Sequence, residues 1–528
     1  MSAFASALNA LTRRQDDSRA RRWLFVPYDQ LTDQLGPLSR EPAAALGIVL
    51  VECPEKAARR PYHRQKLALV LSNLRAFALE QAARGVSVRH VVAPEGYDSA
   101  LAPLIPELGP LRMMEAAERE LRVELAPLVA RGAIEVLPHE GWLTTDADFA
   151  AAGVKGLPPW RMDRFYAAVR RRTGVLMQHG KPIGGRMSFD ADNRQRWRGE
   201  PPTPTPPHFE PNEITREVGA LIERRFSQHP GTLDLAALPA SREDAQRTLD
   251  WAANECLPLF GPYEDAMSTR SSSLFHTRLS PLVNLHRLTP REVLDRALSL
   301  SIPIASQEGF VRQLLGWREF VRHVHRRTDG LRVRPTARGS EPITPRGGGD
   351  LPPAFWGERS GLACLDRVVA DVWREGYGHH ITRLMILSNI AALLDASPRA
   401  LTDWFWIAYV DAYDWVVEPN VLGMGTYALG DLMTTKPYVA GAAYVHRMSD
   451  YCEDCAFDPK VDCPLTSLYW SYLARHAETL AANSRMLVPL SALRKRTPAQ
   501  RERDARTFVT VRDALGRGEK LRSNDDDS

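Results

Sequence analysis

The segment YCEDCAFDPKVDCP, residues 451–464, holds three cysteines in the spacing C-x2-C-x7-C, followed by a proline. A fourth cysteine, Cys364, lies far upstream of them. Four thiolates suit a zinc ion or an iron–sulfur cluster, and ferredoxin-type runs often end in Cys-Pro. Disulfides are disfavoured, because the N-terminus has no secretory h-region and cytosolic thiols stay reduced. Spacing alone leaves zinc and iron–sulfur open, but either would join two helical segments of one domain.

The 528 residues are 44% hydrophobic and 25% charged, which is enough to build two or three domains. The apolar stretch at 385–394 is too short to span a bilayer, so we expect a cytoplasmic protein. The net charge of +4 is uneven, and arginine clusters at 170–172, at 194–198 and at 318–346 predict a polyanion such as nucleic acid. A solvated, salt-bridged face is the alternative. The last cluster contains Arg318, Arg322, His323, His325, Arg326, Arg327, Arg332, Arg334 and Arg338.

Residues 1–140 alternate strand and helix patterns, which predicts an α/β domain with a parallel sheet. The five strand patterns are RWLFVPYDQ, ALGIVLVECP, SVRHVVAP, LRMMEA and AIEVLPHE. No G-x-G-x-x-G follows the first strand, so a dinucleotide fingerprint is absent. Asp29, Gln30 and Glu52 follow the first two strands, where such sheets bind ligands, although ordinary loop polarity explains them equally well.

The rest of the chain divides into a linker region and a helical domain. Residues 141–240 form the linker region, in which the proline-rich segment 199–213 forbids helix. From 241 to 528 the periodicity is helical, which predicts an all-α domain without long strands. The charged tail after Arg494 predicts a solvated helix followed by a disordered end.

Three segments of the helical domain carry more polar residues than packing requires. The loop at 260–285 is rich in serine and could hold phosphates or simply cap a helix. In the segment 308–328, Gln313, Trp317 and Phe320 share a helix face beside a basic stripe, which suits a stacked base or a core tryptophan. The third segment includes His379, His380 and Arg383, with Asp411 and Asp414 as candidate partners of the arginine.

Five motifs, in this order, resemble the photolyase–cryptochrome superfamily: LFHTRLSP, QLLGWREFVR, GYGHHITRLM, VDAYDWVVEPNVLGM and YCEDCAFDPKVDCP. Within it, the chain resembles the bacterial branch that carries an iron–sulfur cluster and includes prokaryotic (6-4) photolyases. The resemblance covers nearly the whole chain. It implies an N-terminal α/β antenna domain, a long linker and an all-α FAD-binding domain.

The resemblance further implies light-dependent repair of (6-4) pyrimidine–pyrimidone photoproducts by electron transfer from excited reduced FAD. The partner would be UV-damaged DNA, with which a monomeric, cytoplasmic protein would associate at the nucleoid. A cryptochrome-like blue-light photoreceptor with the same cofactors is one alternative. A nucleic-acid-binding protein with structural zinc and no flavin is another.

The residue roles implied by the resemblance fall into five groups. His380, with His379 and Trp317, would be catalytic, and Trp404 and Trp356 would carry electrons. Asp29, Gln30 and Glu52 would contact an antenna, a 6,7-dimethyl-8-ribityllumazine in this branch, and Asp190 would lie near a Mg²⁺ ion. A [4Fe-4S] cluster would be held by Cys364, Cys452, Cys455 and Cys463. FAD would be bound by Tyr263, His276, Thr277, Arg278, Leu279, Ser280, Gln313, Arg318, Arg383, Asp411 and Asp414.

Three positions depart from the pattern of the superfamily. Leu384 stands where eukaryotic (6-4) enzymes have a second histidine, which leaves acid catalysis to one imidazole. The spacer between Cys455 and Cys463 is short, which we expect to tighten a surface loop. The residue facing the reactive flavin nitrogen should lie between Val417 and Asn420.

Overall fold

A computed structural model of the chain describes residues 2–12, 21–93, 95–152, 157–337, 339–343 and 348–523. Arg338 and the acidic C-terminal end, for which disorder is predicted, lie outside these ranges. The N-terminal part contains the five-stranded parallel sheet that the sequence predicts. Its strands are β1 Arg22–Phe25, β2 Leu46–Glu52, β3 Ser87–Val92, β4 Leu111–Met114 and β5 Ile134–Leu137.

The strand order in this sheet is β3-β2-β1-β4-β5. The order reverses beside β1, so the carboxyl ends of β1 and β4 form the switch point where open α/β sheets bind ligands. Gly47 pairs with Trp23 across β1 and β2, and a Cβ on Gly47 would lie 2.5 Å from the indole ring. Glycine therefore allows the tryptophan to lie flat over the neighbouring strand.

Helices cover the sheet, and the longest of them, Arg64–Ala83, follows the predicted helical pattern closely. Its N-cap is His63, whose ring nitrogen accepts a hydrogen bond from the Gln65 amide. The helix ends before Gly85, which has a φ of 94° that suits glycine. The other helices of this part are Ala3–Thr12, Gly36–Arg40, Pro54–Ala58, Tyr97–Leu101, Ile105–Leu108 and Arg119–Ala130, with 3-10 turns at Ala43–Ala45 and Ala102–Leu104.

The linker region contains more regular structure than its arginine- and glycine-rich composition suggests. The proline-rich segment is free of helix up to Glu213, as predicted. However, the helix Met162–Thr173 buries Phe165, Tyr166 and Val169 on one face. Packing of this face against the protein stabilises the helix, although the helix propensity of its residues is low. The region also contains the helices Asp146–Ala152 and Glu213–Arg225, the two-residue strands Met177–Gln178 and Lys181–Pro182, and 3-10 turns at Ile183–Gly185 and Leu235–Ala237.

The C-terminal half is helical. Its α-helices are Arg242–Trp251, Leu257–Phe260, Ser280–Asn284, Pro290–Leu298, Ile304–Val311, Glu319–Arg327, Ala363–Glu375, Asn389–Leu393, Pro398–Ala408, Asp414–Glu418, Ala442–Met448, Pro464–Arg475, Ala477–Ala481, Leu487–Arg494 and Pro498–Gly516, with 3-10 turns at Pro353–Trp356 and Ser484–Met486. π-helical turns, which often mark functional sites, occur at Ala252–Cys256, Arg312–Arg318, Thr382–Ser388 and Pro419–Gly425.

Two details of this half differ from the sequence prediction. A short antiparallel hairpin, Val333–Thr336 with Gly339–Pro342, interrupts the helices, because prolines within it exclude helix. The last long helix, Pro498–Gly516, is not simply solvated. It packs on Pro464–Arg475, and the Arg475 guanidinium lies 3.5 Å from the centre of the Phe508 ring.

Buried polar contacts join the two parts of the chain. Lys66, on the long N-terminal helix, donates to the backbone oxygens of Trp406 at 2.9 Å and Ala412 at 2.6 Å. Arg287 of the helical part pairs with Glu80 at 2.9 Å. These contacts fix the sheet against the helices that carry the candidate site. Over the described ranges, no helix is long and apolar enough to cross a membrane.

Candidate functional site

A bidentate ion pair between Arg383 and Asp411 lies inside the helical part. The guanidinium donates to the two carboxylate oxygens at 3.0 and 2.9 Å. Ser280 donates its hydroxyl to the same carboxylate at 2.6 Å, and the Arg383 guanidinium stacks 4.0 Å from the centre of the Tyr409 ring. The predicted pair of Arg383 with Asp411 is therefore present. It joins the serine-rich loop to the π-helical turn at Thr382–Ser388.

Three histidines cluster beside this pair. The rings of His276 and His379 stack with centroids 4.4 Å apart, and His380 meets His276 edge-on at 5.3 Å. Burial lowers the pKa of His276 and of His379 well below the ordinary value, so both rings are neutral at pH 7. His380 differs, because its side chain is 38% exposed. The cluster thus presents one accessible imidazole in front of two buried neutral ones.

Several buried polar atoms near this cluster have no hydrogen-bond partner among the described residues. They are His276 Nε2, His379 Nδ1 and the Tyr409 hydroxyl. A buried polar atom without a partner costs about 1–3 kcal/mol. Three such atoms in one region indicate a site built to receive hydrogen-bonding groups from a ligand.

The loop before the helix Ser280–Asn284 has a strained backbone. Leu274 and Arg278 have φ values of 47° and 53°, which non-glycine residues rarely adopt outside constrained sites. Arg278 donates to Glu375 at 2.8 Å and to Ser273 at 3.0 Å. Thr277 and Leu279 are buried in the same loop. The strain is consistent with a loop shaped for a ligand.

Two further predicted residues border the cluster. Gln313 donates to Glu264 at 2.6 Å, and the backbone of Glu264 also hydrogen-bonds to the His276 side chain. Tyr263 stacks on Phe275 with ring centroids 5.1 Å apart. The first contact brings Gln313 to the edge of the histidine cluster, and the second packs Tyr263 on the residue that precedes His276.

Three other predicted residues make their recorded contacts with residues outside the histidine cluster. Arg318 lies between Trp142 and Trp415, at 4.5 and 5.3 Å from their ring centres. Asp414 does not join Arg383, because its carboxylate accepts from the backbone amides of Arg119 and Glu120 at 2.6 and 3.1 Å and so caps a helix beside the sheet. Trp317 is half-buried and meets Phe320 edge-on at 6.1 Å.

An aspartate that the sequence analysis missed faces the exposed histidine. Asp265 Oδ1 lies 3.8 Å from His380 Nε2, and Asp265 Oδ2 lies 3.7 Å from Arg194 Nε. Asp190, the predicted Mg²⁺ neighbour, is already paired with Arg194 and, at 3.3 Å, with Arg312. The mouth of the site therefore carries charges of both signs. Position in the sequence gave no signal for Asp265, because it follows an unremarkable turn.

Four aromatic rings lead from the Arg383 site to the surface. Tyr409 meets Trp404 at 6.0 Å, Trp404 meets Trp373 at 5.7 Å, and Trp373 stacks on Trp356 at 5.7 Å with planes 18° apart. Trp356 is 48% exposed, whereas Trp404 is buried. Trp373 is not among the residues that the sequence analysis singles out. In the structure it connects the two predicted electron carriers.

The four cysteines approach one another. Burial, followed by the charges of Cys463, Cys455 and Cys452, raises the pKa of Cys364 well above the ordinary value. Among the described residues, only the three histidines form a group of three or more potential ligands within 4.8 Å of one another. The proximity of the four thiols fits a metal or iron–sulfur site that all four would share.

At the carboxyl ends of β1 and β2 the predicted antenna residues are buried. Gln30 donates to the backbone oxygens of Met114 and Glu115 at 3.3 and 3.0 Å, which ties β1 to β4. Burial raises the pKa of Glu52, but hydrogen bonds from His90 and Arg75 outweigh it and bring the pKa to about 2. Of the three predicted residues, Asp29 alone has a carboxylate oxygen without a partner.

Within the arginine-rich stretch, several charges are paired inside the protein, whereas the side chains of Arg326, Arg332 and Arg334 are 41%, 44% and 40% exposed, so the polyanion-binding strip stays a prediction. Arg322 donates to the backbone oxygen of Thr144 at 2.7 Å, and His325 contacts Glu418 at 2.9 Å. Arg326 pairs with Glu115. The charges face carboxylates and carbonyls across helix–helix contacts. A count of positive residues along the sequence could not reveal those partners.

Exposed arginines also occur outside this stretch, and one of them, Arg194, lies beside Asp265 at the mouth of the histidine cluster. Arg194 and Arg270 have side chains that are 57% and 54% exposed. Arg198 and Arg447 are exposed as well. These residues come from segments that are distant in sequence, which is why only part of the set was recognised from the sequence.

Comparisons with known proteins agree with this geometry. Residues 24–237 match the model of the family described as deoxyribodipyrimidine photo-lyase-related protein. A (6-4) photolyase of Agrobacterium fabrum (strain C58 / ATCC 33970) is 34% identical over 486 residues, which cover 88% of this chain and 94% of the relative. An uncharacterized protein of Acanthamoeba polyphaga mimivirus is 35% identical over 89 residues, or 17% of this chain and 69% of the relative.

A solved structure supports the fold. The bacterial class III photolyase from Agrobacterium tumefaciens aligns with a TM-score of 0.51 at 16% identity, covering 95% of this chain and 99% of that one. The likeness extends over both the parallel sheet and the helices. The (6-4) photolyase relative is 34% identical over 88% of this chain. The chain therefore belongs to the photolyase–cryptochrome superfamily, in its bacterial branch of photolyase-related proteins.

Proposed function

We propose that this protein repairs (6-4) pyrimidine–pyrimidone photoproducts in DNA in a light-dependent reaction. The observation that carries the proposal is the position of His380. It is the exposed member of a histidine cluster that lies beside the buried pair of Arg383 and Asp411. The relative that shares 34% of its residues over almost its whole length is a (6-4) photolyase.

FAD fits the residues around the ion pair. Its hydrogen-bonding groups would meet the unpartnered atoms of His276, His379 and Tyr409, and the loop from Tyr263 to Ser280 would hold its phosphates. When bound, FAD supplies the light-excited electron donor of the reaction. The Arg383 guanidinium, fixed by Asp411, would orient the ring. Gln313 would lie at the edge of the same pocket.

A [4Fe-4S] cluster fits the four cysteines, because their thiols lie close enough to interact and four thiolates are its usual ligands. Burial raises the pKa of Cys452 to about 11 and of Cys463 to about 12, so a bound metal would have to displace the protons. In this role the cluster fastens the helix Ala363–Glu375 to the turn after Met448.

His380 can move a proton at the mouth of the site. Its Nε2 faces the Asp265 carboxylate, and its exposure allows it to reach a nucleotide flipped out of the duplex. His276 and His379 are held neutral by burial, so they can orient groups by hydrogen bonding without adding charge. Trp317, half-buried on a neighbouring helix, offers a ring on which an extruded base can stack.

The tryptophans would carry electrons from an external reductant to the flavin and so reduce it. Trp404 is buried and Trp356 is exposed, so an external reductant can reach only the outer ring. Trp373 lies in contact with both. The exposed arginines around Arg194 would hold the DNA backbone, because phosphate contacts position a protein on a duplex.

The remaining assignments follow from this function. A 6,7-dimethyl-8-ribityllumazine antenna would bind at Asp29, whose carboxylate has a free oxygen at the switch point of the sheet. A divalent ion near Asp190 would have to displace Arg194 or Arg312. We expect the protein to act as a monomer in the cytoplasm, on DNA of the nucleoid.

The deciding experiment illuminates the reduced, flavin-containing protein with an oligonucleotide that carries a single (6-4) photoproduct. We expect restored thymines, measured by chromatography, and no restoration in the dark. Tight binding without repair would overturn the proposal and favour a photoreceptor. A purified protein without flavin absorption would exclude both functions.

A further inference from the structure

The loop that carries Cys452, Cys455 and Cys463, here called the cysteine loop, is bonded directly to the serine-rich loop. The bonds are made through Asp450, two residues before Cys452. One oxygen of its carboxylate accepts from the Thr269 amide at 2.7 Å, and the other accepts from the Ser268 hydroxyl at 2.7 Å. Asp450 is only 7% exposed and Ser268 only 1%. The Met267 amide also donates to the Met448 oxygen at 3.0 Å. Three bonds from the consecutive residues Met267, Ser268 and Thr269 thus tie this part of the serine-rich loop to the cysteine loop.

A second connection runs from the other side of the cysteine cage. Cys364 lies at the start of the helix Ala363–Glu375, and Glu375 is its last residue. The Glu375 carboxylate accepts from the Ser272 hydroxyl at 2.9 Å and from Arg278 at 2.8 Å. The helix that carries Cys364 and the cysteine loop therefore both bind the segment that we assign to the flavin.

We propose that Asp450 couples the cluster site to the FAD site, so that each cofactor stabilises the binding of the other. The inference rests on the proposed function, because it takes the serine-rich loop as the FAD-binding loop. Asp450 is a positioning residue that touches neither cofactor. If the cluster fixes the turn that carries Asp450, its loss frees Ser268 and Thr269 and loosens the loop. By linkage, bound FAD then lowers the population of the open form from which iron escapes.

The test compares Asp450→Asn with the wild-type protein in two assays. In the first, FAD is titrated in the dark into flavin-depleted protein that retains its iron. The buried Asp450 carboxylate accepts the bonds from Ser268 and from Thr269, and the substitution removes its charge. We therefore expect the Kd of FAD to rise about tenfold or more. In the second, iron loss to a chelator is followed with and without saturating FAD. FAD should slow this loss severalfold in the wild type and much less in the variant.

Glu453→Gln is the matched control. Glu453 lies between Cys452 and Cys455 and pairs with Arg196, but it makes no described bond to the serine-rich loop. It should leave both the FAD affinity and the protection of iron unchanged. Should Asp450→Asn fail to fold, Ser268→Ala removes one of the two bonds and should raise the Kd about threefold.

Two results would overturn the coupling: an unchanged FAD affinity in Asp450→Asn, or no effect of FAD on iron loss in the wild type. A wild-type protein that binds FAD and repairs DNA but shows either result refutes only the coupling. A wild-type protein that binds no FAD refutes the proposed function and the coupling together. A generally weakened fold would affect iron loss equally with and without FAD, which separates it from the coupling.

Discussion

The carboxylate of Asp411 accepts two hydrogen bonds from the Arg383 guanidinium, at 3.0 and 2.9 Å. The backbone oxygen of Asp411 accepts a third from the Asn284 side chain at 2.9 Å. The Asp411 side chain is 6% exposed and that of Arg383 is 21% exposed. One aspartate thus fixes the arginine to the helix that follows the serine-rich loop. Removing half of a buried pair leaves the other charge uncompensated, which costs about 3–5 kcal/mol.

Asp411→Asn should therefore weaken FAD binding at least tenfold, because Arg383 loses the partner that orients it. The measurement is a fluorescence titration of FAD in the dark. Asp431→Asn provides the control, since Asp431 pairs with Arg334 at the surface with 52% of its side chain exposed. Equal FAD affinities in the two variants would show that the Arg383–Asp411 ion pair does not contribute to FAD binding.

His380→Ala should abolish repair of the (6-4) photoproduct while FAD stays bound. The imidazole is the accessible one of three, and the methyl group of alanine can neither donate nor accept a proton. Repair is measured by chromatography after illumination, and flavin content by absorption. His208→Ala, in the proline-rich segment, should have full activity. Loss of FAD from His380→Ala would make the histidine a structural residue instead.

The parallel sheet could be predicted from the sequence because its strands are short apolar runs separated by helical patterns. The helical half was equally clear, since its periodicity is local information. The hairpin Val333–Thr336 with Gly339–Pro342 was missed because its strands are short, contain prolines and bury no residue fully. The packing of Pro498–Gly516 was missed because only Phe508, Val511 and a few other residues on that charged helix face the core.

The site was predicted less evenly. The Arg383–Asp411 pair was expected, but Asp414, three residues later, caps a helix of the sheet domain. Sequence spacing cannot tell which of two nearby aspartates turns toward an arginine. Asp265 and Trp373 were missed for the same reason, because each gains its role from residues distant in the chain.

Arg198→Ala should weaken binding to damaged duplex and reduce its salt dependence. Each phosphate contact contributes a slope of about −0.9 to the plot of log K against log salt. We expect the slope to fall by about one such contact, measured by fluorescence anisotropy at several salt concentrations. Arg503→Ala, on the C-terminal helix, is the matched exposed control. An identical slope for both variants would place the DNA elsewhere.

Trp373→Phe should slow photoreduction of the bound flavin by an external thiol at least tenfold. Phenylalanine preserves the packing, but its ring is far harder to oxidise than indole, so Trp404 and Trp356 lose the ring that contacts both. Repair by chemically reduced protein should be unaffected, which separates electron supply from catalysis. Trp470→Phe, beside Tyr469, is the control. A normal photoreduction rate in Trp373→Phe would show that electrons take another path.

Asp29→Asn should stabilise the antenna-free protein more at pH 8 than at pH 5. Burial raises the pKa of Asp29 from 3.8 to about 7, although a backbone hydrogen bond and Lys56 oppose it. The folded state therefore holds the proton more tightly than the unfolded state. This contribution to stability is fully present below pH 3.8 and is lost as the pH rises through about 7.

Asparagine cannot ionise, so the variant escapes the loss that the wild type suffers above neutral pH. We expect a gain in Tm of a few degrees at pH 8 and a much smaller one at pH 5, measured by thermal unfolding. Asp33→Asn is the control, because Asp33 is 38% exposed and pairs with Arg84 at the surface. A gain of the same size at both pH values would mean that folding does not raise the pKa of Asp29.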